Sequence, residues 1–209
     1  MSDETTADDV SVIVVGGGPA GLSAALFTAK NGLETTVFDT DETWMHKAHL
    51  FNYLGIGSVG GSEFMATARQ QVDDFGVDRR QDEEVTAVSE ADDGFVVETS
   101  VAPETQRADG EYEADFVVLA TGANRDLADD LGCAFDDDIV DVGVDMETSV
   151  EGVYATGAMV RPEEWQAAIS VGDGAAAALN ILSTVKGEHY HDFDVPADAE
   201  RVFGEHVAE

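Results

Sequence analysis

One cysteine, Cys133, is present in 209 residues. A lone thiol excludes an intrachain disulfide, a C-x-x-C redox pair and a cysteine-rich zinc site. Any redox chemistry must therefore come from a bound cofactor. Positive charge is also scarce. Lysine and arginine together number 10 against 44 acidic residues, a formal net charge of −34, and the only lysines are Lys30, Lys47 and Lys186. With no basic patch to neutralise phosphates, nucleic acid is excluded as a partner. No stretch reads as long or apolar enough to span a membrane, and the acidic N-terminus does not read as a signal peptide. The expected location is cytoplasmic.

The acid is spread along the chain rather than gathered in a tail. Such a field repels itself in dilute buffer. At ~1 M salt the Debye length falls to about 3 Å and that repulsion is largely screened. The composition therefore reads as that of a cytoplasmic protein from a salt-accumulating halophile. The alternative, an acidic surface for a basic partner, lacks a focus of charge. Apolar residues make up 44% of the chain, so it can build a core and is not a disordered acidic tract. Its length suits one well-buried domain.

Residues 10–39, VSVIVVGGGPAGLSAALFTAKNGLETTVFD, carry the strongest pattern. Residues 10–15 form a β-branched run of the kind that makes a buried parallel strand. Gly16, Gly18 and Gly21 follow in G-x-G-x-x-G spacing, and residues 19–31, starting Pro19-Ala20, read as a helix. The first glycine permits a tight turn, the second lets the backbone approach a pyrophosphate, and the third lets helix pack on sheet. Unpaired N–H groups at the positive helix end then hold the diphosphate. A second strand, residues 35–38, ends in Asp39, whose carboxylate accepts hydrogen bonds from a ribose and repels a 2′-phosphate. Strand, glycines, helix, strand and acid together make a dinucleotide-binding βαβ unit.

Further along, residues 40–61 read as an irregular connection holding Trp44, Met45, His46, Lys47, His49, Phe51, Asn52 and Tyr53. A loop that long is functional or disordered, and this one is too aromatic for disorder. Residues 62–75 read as a helix with Ser62 as N-cap. Residues 85–88, 95–99 and 112–119 read as strands, joined by a turn at 91–94 and a looser link at 102–110. The third strand ends in Ala120-Thr121-Gly122. An acidic link at 124–142 and a short strand at 152–155 come next. Residues 162–185 read as a helix with Pro162 in its first turn, and Gly172, Gly174 and the alanines at 175–178 permit close packing. There is no internal repeat and no second G-x-G-x-x-G.

GGGPAG, the acid after the second strand, a hairpin region, LATG at 119–122, SVEGVYATG at 149–157 and a long helix occur in this order over residues 10–185. The order resembles the flavin domain of thioredoxin reductase and related two-domain flavoproteins. The resemblance implies FAD lying extended across the domain. Gly16, Gly18, Pro19, Ala20 and Gly21 would form the pyrophosphate turn, and Asp39 would bind the adenosine ribose. Asn52, within FNYLG, would lie near the flavin, and the Val85 backbone would meet the adenine. Ala120, Thr121 and Gly122 would sit beside the cofactor. Gln166 and Ala167, after Trp165, would start the last helix, whose N-terminus faces the flavin ring and favours a reduced flavin.

Three departures from the family pattern bear on function. Between the ATG turn and the returning strand the family inserts an NAD(P)H domain, whereas here an acidic stretch of about thirty residues, 123–151, takes that place. The catalytic C-x-x-C of that domain is missing with it, which excludes thioredoxin reduction by the family's own mechanism. The family's G-D pair, whose aspartate bonds the ribityl chain, is Gly157-Ala158 here.

Other residues carry open alternatives. His46 and Lys47 suit either a general acid or charge partner near the flavin, or a loop packed over the ring or a dimer partner. Trp165 suits stacking on the isoalloxazine edge or plain packing. His189-Tyr190-His191, between Glu188 and Asp192, has metal-site composition but reads as a solvated tail, so no metal is expected. Cys133 reads as a small core or loop residue. Arg125 and Arg161 suit surface ion pairs or an anionic ligand. The expected fold is α/β: a Rossmann-like FAD-binding domain, with a parallel sheet, helices on both faces and a small antiparallel β-meander. It would span residues 10–186, with a flexible N-terminus at 1–9 and a polar tail at 187–209. The expected function is an FAD-dependent oxidoreductase lacking its own NAD(P)H domain, with an unknown small-molecule or protein electron donor or acceptor, paired as a homodimer. The alternative is a non-catalytic module, a sensor or partner subunit, that binds FAD or another adenine nucleotide.

Overall fold

A computed structural model describes residues 10–101, 108–199 and 202. The expectations for residues 1–9, for most of the link at 102–110 and for the end of the tail lie outside the described residues. The chain opens as read: β1 (Ser11–Val15), α1 (Pro19–Lys30) and β2 (Glu34–Asp39). A short antiparallel pair, β3 (His49–Leu50) and β4 (Val59–Gly60), then precedes α2 (Gly61–Asp74) and β5 (Asp78–Gln81). The meander is β6 (Glu83–Glu90), β7 (Phe95–Val101) and β8 (Gly110–Ala114). After β9 (Phe116–Leu119) come α3 (Asp126–Asp130), the hairpin β10 (Phe135–Asp136) and β11 (Ile139–Val140), β12 (Val153–Ala155) and α4 (Ala167–Lys186).

The main sheet is parallel throughout, in the order β12-β9-β1-β2-β5. Its inner strands are buried on both faces, as their unbroken β-branched runs require. Along β2, alternate side chains face opposite layers. Phe38 meets the meander, its ring 4.9 Å from that of Tyr112 in β8. The long helices gather round α1, which packs against both α4 and α2, while short α3 lies beside β6.

Four differences from the sequence reading have a visible physical cause. The run at 112–119 is two strands, because Asp115 breaks it: its carboxylate accepts from the Ser11 amide at 2.7 Å and the Ser11 hydroxyl at 2.9 Å. The chain leaves the meander there and enters the sheet beside β1. Strand β5, sequence DRRQ, offers no apolar period and passed unread, yet pairs with β2 along its length. A charged edge strand blunts edge-to-edge association. Helix α2 is capped at Gly60 rather than by Ser62, whose hydroxyl lies 2.9 Å from His46 Nδ1. Helix α4 begins at Ala167 rather than at Pro162, because Trp165 and Gln166 donate their amides to Glu163 and Glu164 in tight non-helical turns.

By length and composition α4 could cross a membrane, with a mean hydropathy of 1.3 over its most apolar window. The sequence reading expected no such stretch. Here its small residues lie against α1. A Cβ on Gly174 would fall 2.1 Å from the Ala20 carbonyl oxygen. Gly174→Ala is expected to destabilise the fold by about 1–3 kcal/mol, read as a drop in melting temperature. An unchanged melt would show that the two helices can part without loss. The described tail is not free: Lys30 bonds Asp192 at 2.8 Å and also Asp194, and the Tyr190 hydroxyl bonds Asn31. Burial alone would lower the Lys30 pKa, but these bonds outweigh it and hold it above its ordinary value.

Candidate functional site

The carboxyl ends of β1, β2, β9 and β12 open into one cleft of about 920 Å³, the usual place for a ligand in an open parallel sheet. Its floor is the glycine turn. Gly16 has φ +107°, and a Cβ there would lie 2.4 Å from the Ala120 carbonyl oxygen. Turn and ATG segment therefore touch, backbone to backbone. Gly21 serves helix packing and does not line the cleft: a Cβ on it would lie 1.9 Å from the Gly16 carbonyl oxygen. Gly18, the N-cap of α1, is different. A Cβ there would meet only the Thr43 hydroxyl, at 3.7 Å, and would otherwise project into open space. No acidic residue occupies the first turn of α1, so the helix carries no charge of its own against its positive end, which faces the cleft. Gly17, passed over in the sequence, is also needed, because a Cβ would lie 2.3 Å from Asp39 Oδ2.

Asp39 is buried at the end of β2. It accepts from Arg69 at 3.1 Å, from Gln81 at 3.2 Å and, through its other oxygen, from the Asp41 amide at 3.0 Å. Arg69, on α2, carried no sequence signal of this role. It also pairs with Asp41, whose second partner is His46 at 2.7 Å. The Arg69 hydrogen bond, against partial burial and with help from His46, holds the Asp41 carboxyl below its ordinary 3.8. A depressed carboxyl stabilises the fold above its unfolded value and loses that contribution as pH falls through the folded one. Asp41→Asn should therefore flatten the acid side of the stability profile, measured by thermal melts from neutral pH downward. An unaltered acid limb would show that the pair is energetically idle.

At the other end, Asn52 donates to the Gln166 side chain at 2.7 Å, joining the β3–β4 loop to the start of α4. Trp44 and Trp165 line the cleft with ring centroids 5.2 Å apart, and the Trp165 indole donates to the Arg161 carbonyl. Pro19, Ala20, Val85, Ala120, Thr121, Gly122, Gly157, Ala158 and Ala167 also line it, as do the unread Thr43, Thr156 and Ser170. His46 and Lys47 do not. The 3-10 turn Trp44–Lys47 buries Met45 and leaves His46 bonded to Asp41 and Ser62.

The two ambiguous arginines resolve differently. Arg161 pairs with the buried Asp173 at 2.6 Å. Arg125 is held by backbone carbonyls instead. It donates to the carbonyls of Met159 at 3.0 Å, Ala123 at 3.1 Å and Ala158 at 3.2 Å. One guanidinium thus ties the loop after the ATG turn to the turn carrying Gly157 and Ala158. Cys133 is buried, which raises its pKa despite its contact with Thr148. Among the described residues no three His, Cys, Asp or Glu side chains converge as a metal site.

The pyridine nucleotide-disulphide oxidoreductase family pattern matches residues 10–123 and 56–172. The thioredoxin reductase of Treponema pallidum is 34% identical over 127 residues, covering 56% of this chain and 36% of that protein. The thioredoxin reductase of Peptoclostridium litorale is 30% identical over 137 residues, covering 64% and 40%. Among solved structures, a thioredoxin reductase from Gloeobacter violaceus superposes with a TM-score of 0.75 at 20% identity, over 88% of this chain and 98% of that one. This chain thus matches under half the length of these two curated relatives. Proteins of this group are FAD-binding flavoproteins. Matching pattern, parallel sheet and glycine turn agree: this chain belongs to the pyridine nucleotide-disulphide oxidoreductase family and is thioredoxin reductase-like.

Proposed function

We propose that the chain binds FAD along the cleft and acts as an oxidoreductase whose second redox partner comes from outside the chain. The carrying observation is the connection between β9 and β12. It consists of α3, one two-stranded hairpin and the Glu147–Tyr154 bridge, about thirty residues where the family pattern holds a nicotinamide domain. Bound FAD would supply hydride or single-electron transfer.

The residues present fit such a group. The bare Gly18 and the α1 N-terminus would receive the diphosphate. Asp39, fixed by Arg69 and Gln81, would accept from the adenosine ribose, and the β6 backbone at Val85 would border the adenine. Gln166 and Ala167 present the positive end of α4 at the opposite end, where it stabilises negative charge. Asn52 would hold its loop against that helix end through Gln166. Trp44 and Trp165 would screen this end from water.

A second reading, a module that binds the nucleotide without turnover, is favoured by Ala158, which offers no side-chain hydrogen bond where the family pattern has an aspartate. Anaerobic addition of NADH or NADPH to the FAD-loaded protein separates the two. Bleaching of the flavin band supports an oxidoreductase fed by a diffusing nicotinamide. A band that persists with nicotinamides but bleaches with a protein reductant supports a partner-fed enzyme. A band that neither donor bleaches leaves the binding module.

A further inference from the structure

Among its described residues the cleft is lined by carboxylates. Among the described residues that line it there is no lysine or arginine, while Asp39, Glu42, Glu83, Glu84, Asp126 and Asp130 all do. Its histidine, His49, is bonded to Ser58. Two guanidinium groups bonded to residues of the lining are already engaged, Arg69 by Asp39 and Asp41 and Arg125 by three carbonyls. Even with both credited to the site, carboxylates outnumber cations, and the whole chain adds a net charge of −34. A dinucleotide brings a diphosphate with two further negative charges. The attraction available to it is short-ranged, from backbone N–H groups and the partial charge at the start of α1, which acts only within the first helical turn. The repulsion is longer-ranged, and salt removes it first.

Resting on the FAD reading above, we infer that cofactor loading is gated by ionic strength: the cleft excludes the dinucleotide in dilute buffer and admits it in concentrated salt. A cationic phosphate site has the opposite dependence, because salt screens its attraction. The carboxylates also divide by place. Asp39 and Glu83 are buried and hydrogen-bonded within the fold, whereas Glu42, Glu84, Asp126 and Asp130 are exposed. The exposed four form the gate, since their charge is the part that mobile ions can screen.

The test is equilibrium binding of FAD, read by flavin fluorescence, from about 0.1 to about 2 M KCl, where the Debye length shrinks from about 10 Å to below 3 Å. Riboflavin, which has the same ring and no phosphate, is titrated in parallel over the range in which far-UV circular dichroism stays constant. FAD affinity is expected to rise at least ~10-fold as the screening length contracts, and riboflavin affinity to change several-fold less. Riboflavin also corrects for salting-out of the ring. In the double variant Glu42→Gln, Asp130→Asn, FAD should bind more tightly than to wild type at low salt and equally at high salt. Compared at one salt concentration, this contrast holds even if the usable salt range is narrow. FAD affinity that is flat or falls with salt, a riboflavin slope equal to that of FAD, or a double variant indistinguishable from wild type at low salt would overturn the gate. Binding of neither flavin at any salt would instead remove the FAD reading, and the gate with it.

Discussion

Gly18→Val is expected to leave a folded protein that no longer takes up FAD, whereas Gly21→Val is expected not to fold. The two glycines are three residues apart in one motif, and the contrast comes from what surrounds each. A side chain at Gly18 meets one hydroxyl, at 3.7 Å, and the residue has an ordinary φ of −76°. The fold gives it room. That room is the space a diphosphate would fill, and a branched side chain there would hold the phosphates off the N–H groups at the start of α1. Losing two charge-assisted hydrogen bonds removes about 3 kcal/mol or more, at least roughly a hundredfold in affinity. At Gly21 the obstacle is the Gly16 carbonyl oxygen at 1.9 Å, with Val14 beyond it. Neither backbone can yield without parting α1 from β1, so the penalty lies above the usual 1–3 kcal/mol of overpacking and consumes much of a domain stability of about 5–15 kcal/mol. Circular dichroism and flavin titration of both variants provide the check. A Gly18→Val protein that binds FAD like wild type would move the phosphate site elsewhere.

Arg125→Ala is the second large effect. Its guanidinium holds three carbonyls on two segments, and Met159 and Val160 beside it are buried. Hydrogen bonds from a charged donor contribute about 1.5–3 kcal/mol each in favourable cases, but water can replace part of that at a half-exposed site. A net loss of about 2–4 kcal/mol is expected, and at 2–4 °C per kcal/mol for a domain of this size the melting temperature falls by roughly 4–16 °C. Lysine should recover little, because one ammonium lacks the planar fork that spans the three acceptors. The turn bearing Gly157 and Ala158 would loosen with it, so FAD should dissociate faster from Arg125→Ala than from wild type. A melt within about a degree of wild type, with an unchanged off-rate, would show that the clamp holds nothing the backbone does not already hold.

How far the sequence could be read follows from which interactions are local. The glycine turn, α1 and Asp39 were legible because their residue types are dictated by contacts within a single βαβ unit. Strand β5 was not, since a charged edge strand takes its conformation from pairing with β2 rather than from its own side chains. The break at Asp115 was equally hidden. It depends on Ser11, more than a hundred positions away, and the run around it stays apolar enough to read as one strand. Of the site, the positions carried over from the family pattern reached the cleft, apart from Gly21, which lies beneath it. The residues that hold those positions in place, Arg69, Gln81 and Arg125, were missed or left undecided, because a long polar side chain shows nothing of its partner in sequence. His46 and Lys47 stand outside the lining for a related reason. Their neighbourhood was correctly read as cleft-forming, but one 3-10 turn sends Trp44 and Met45 to the cleft and leaves His46 with Asp41.

The account depends most directly on FAD occupying this cleft with its phosphates at Gly18. Titration of FAD into the purified protein at about 2 M KCl, where charge repulsion is screened, tests that in one measurement on wild type and Gly18→Val side by side. Saturable quenching of flavin fluorescence at one equivalent per chain in wild type, lost in the variant, is the expected result. Absence of saturable binding in wild type, or equal binding by both proteins, would contradict it.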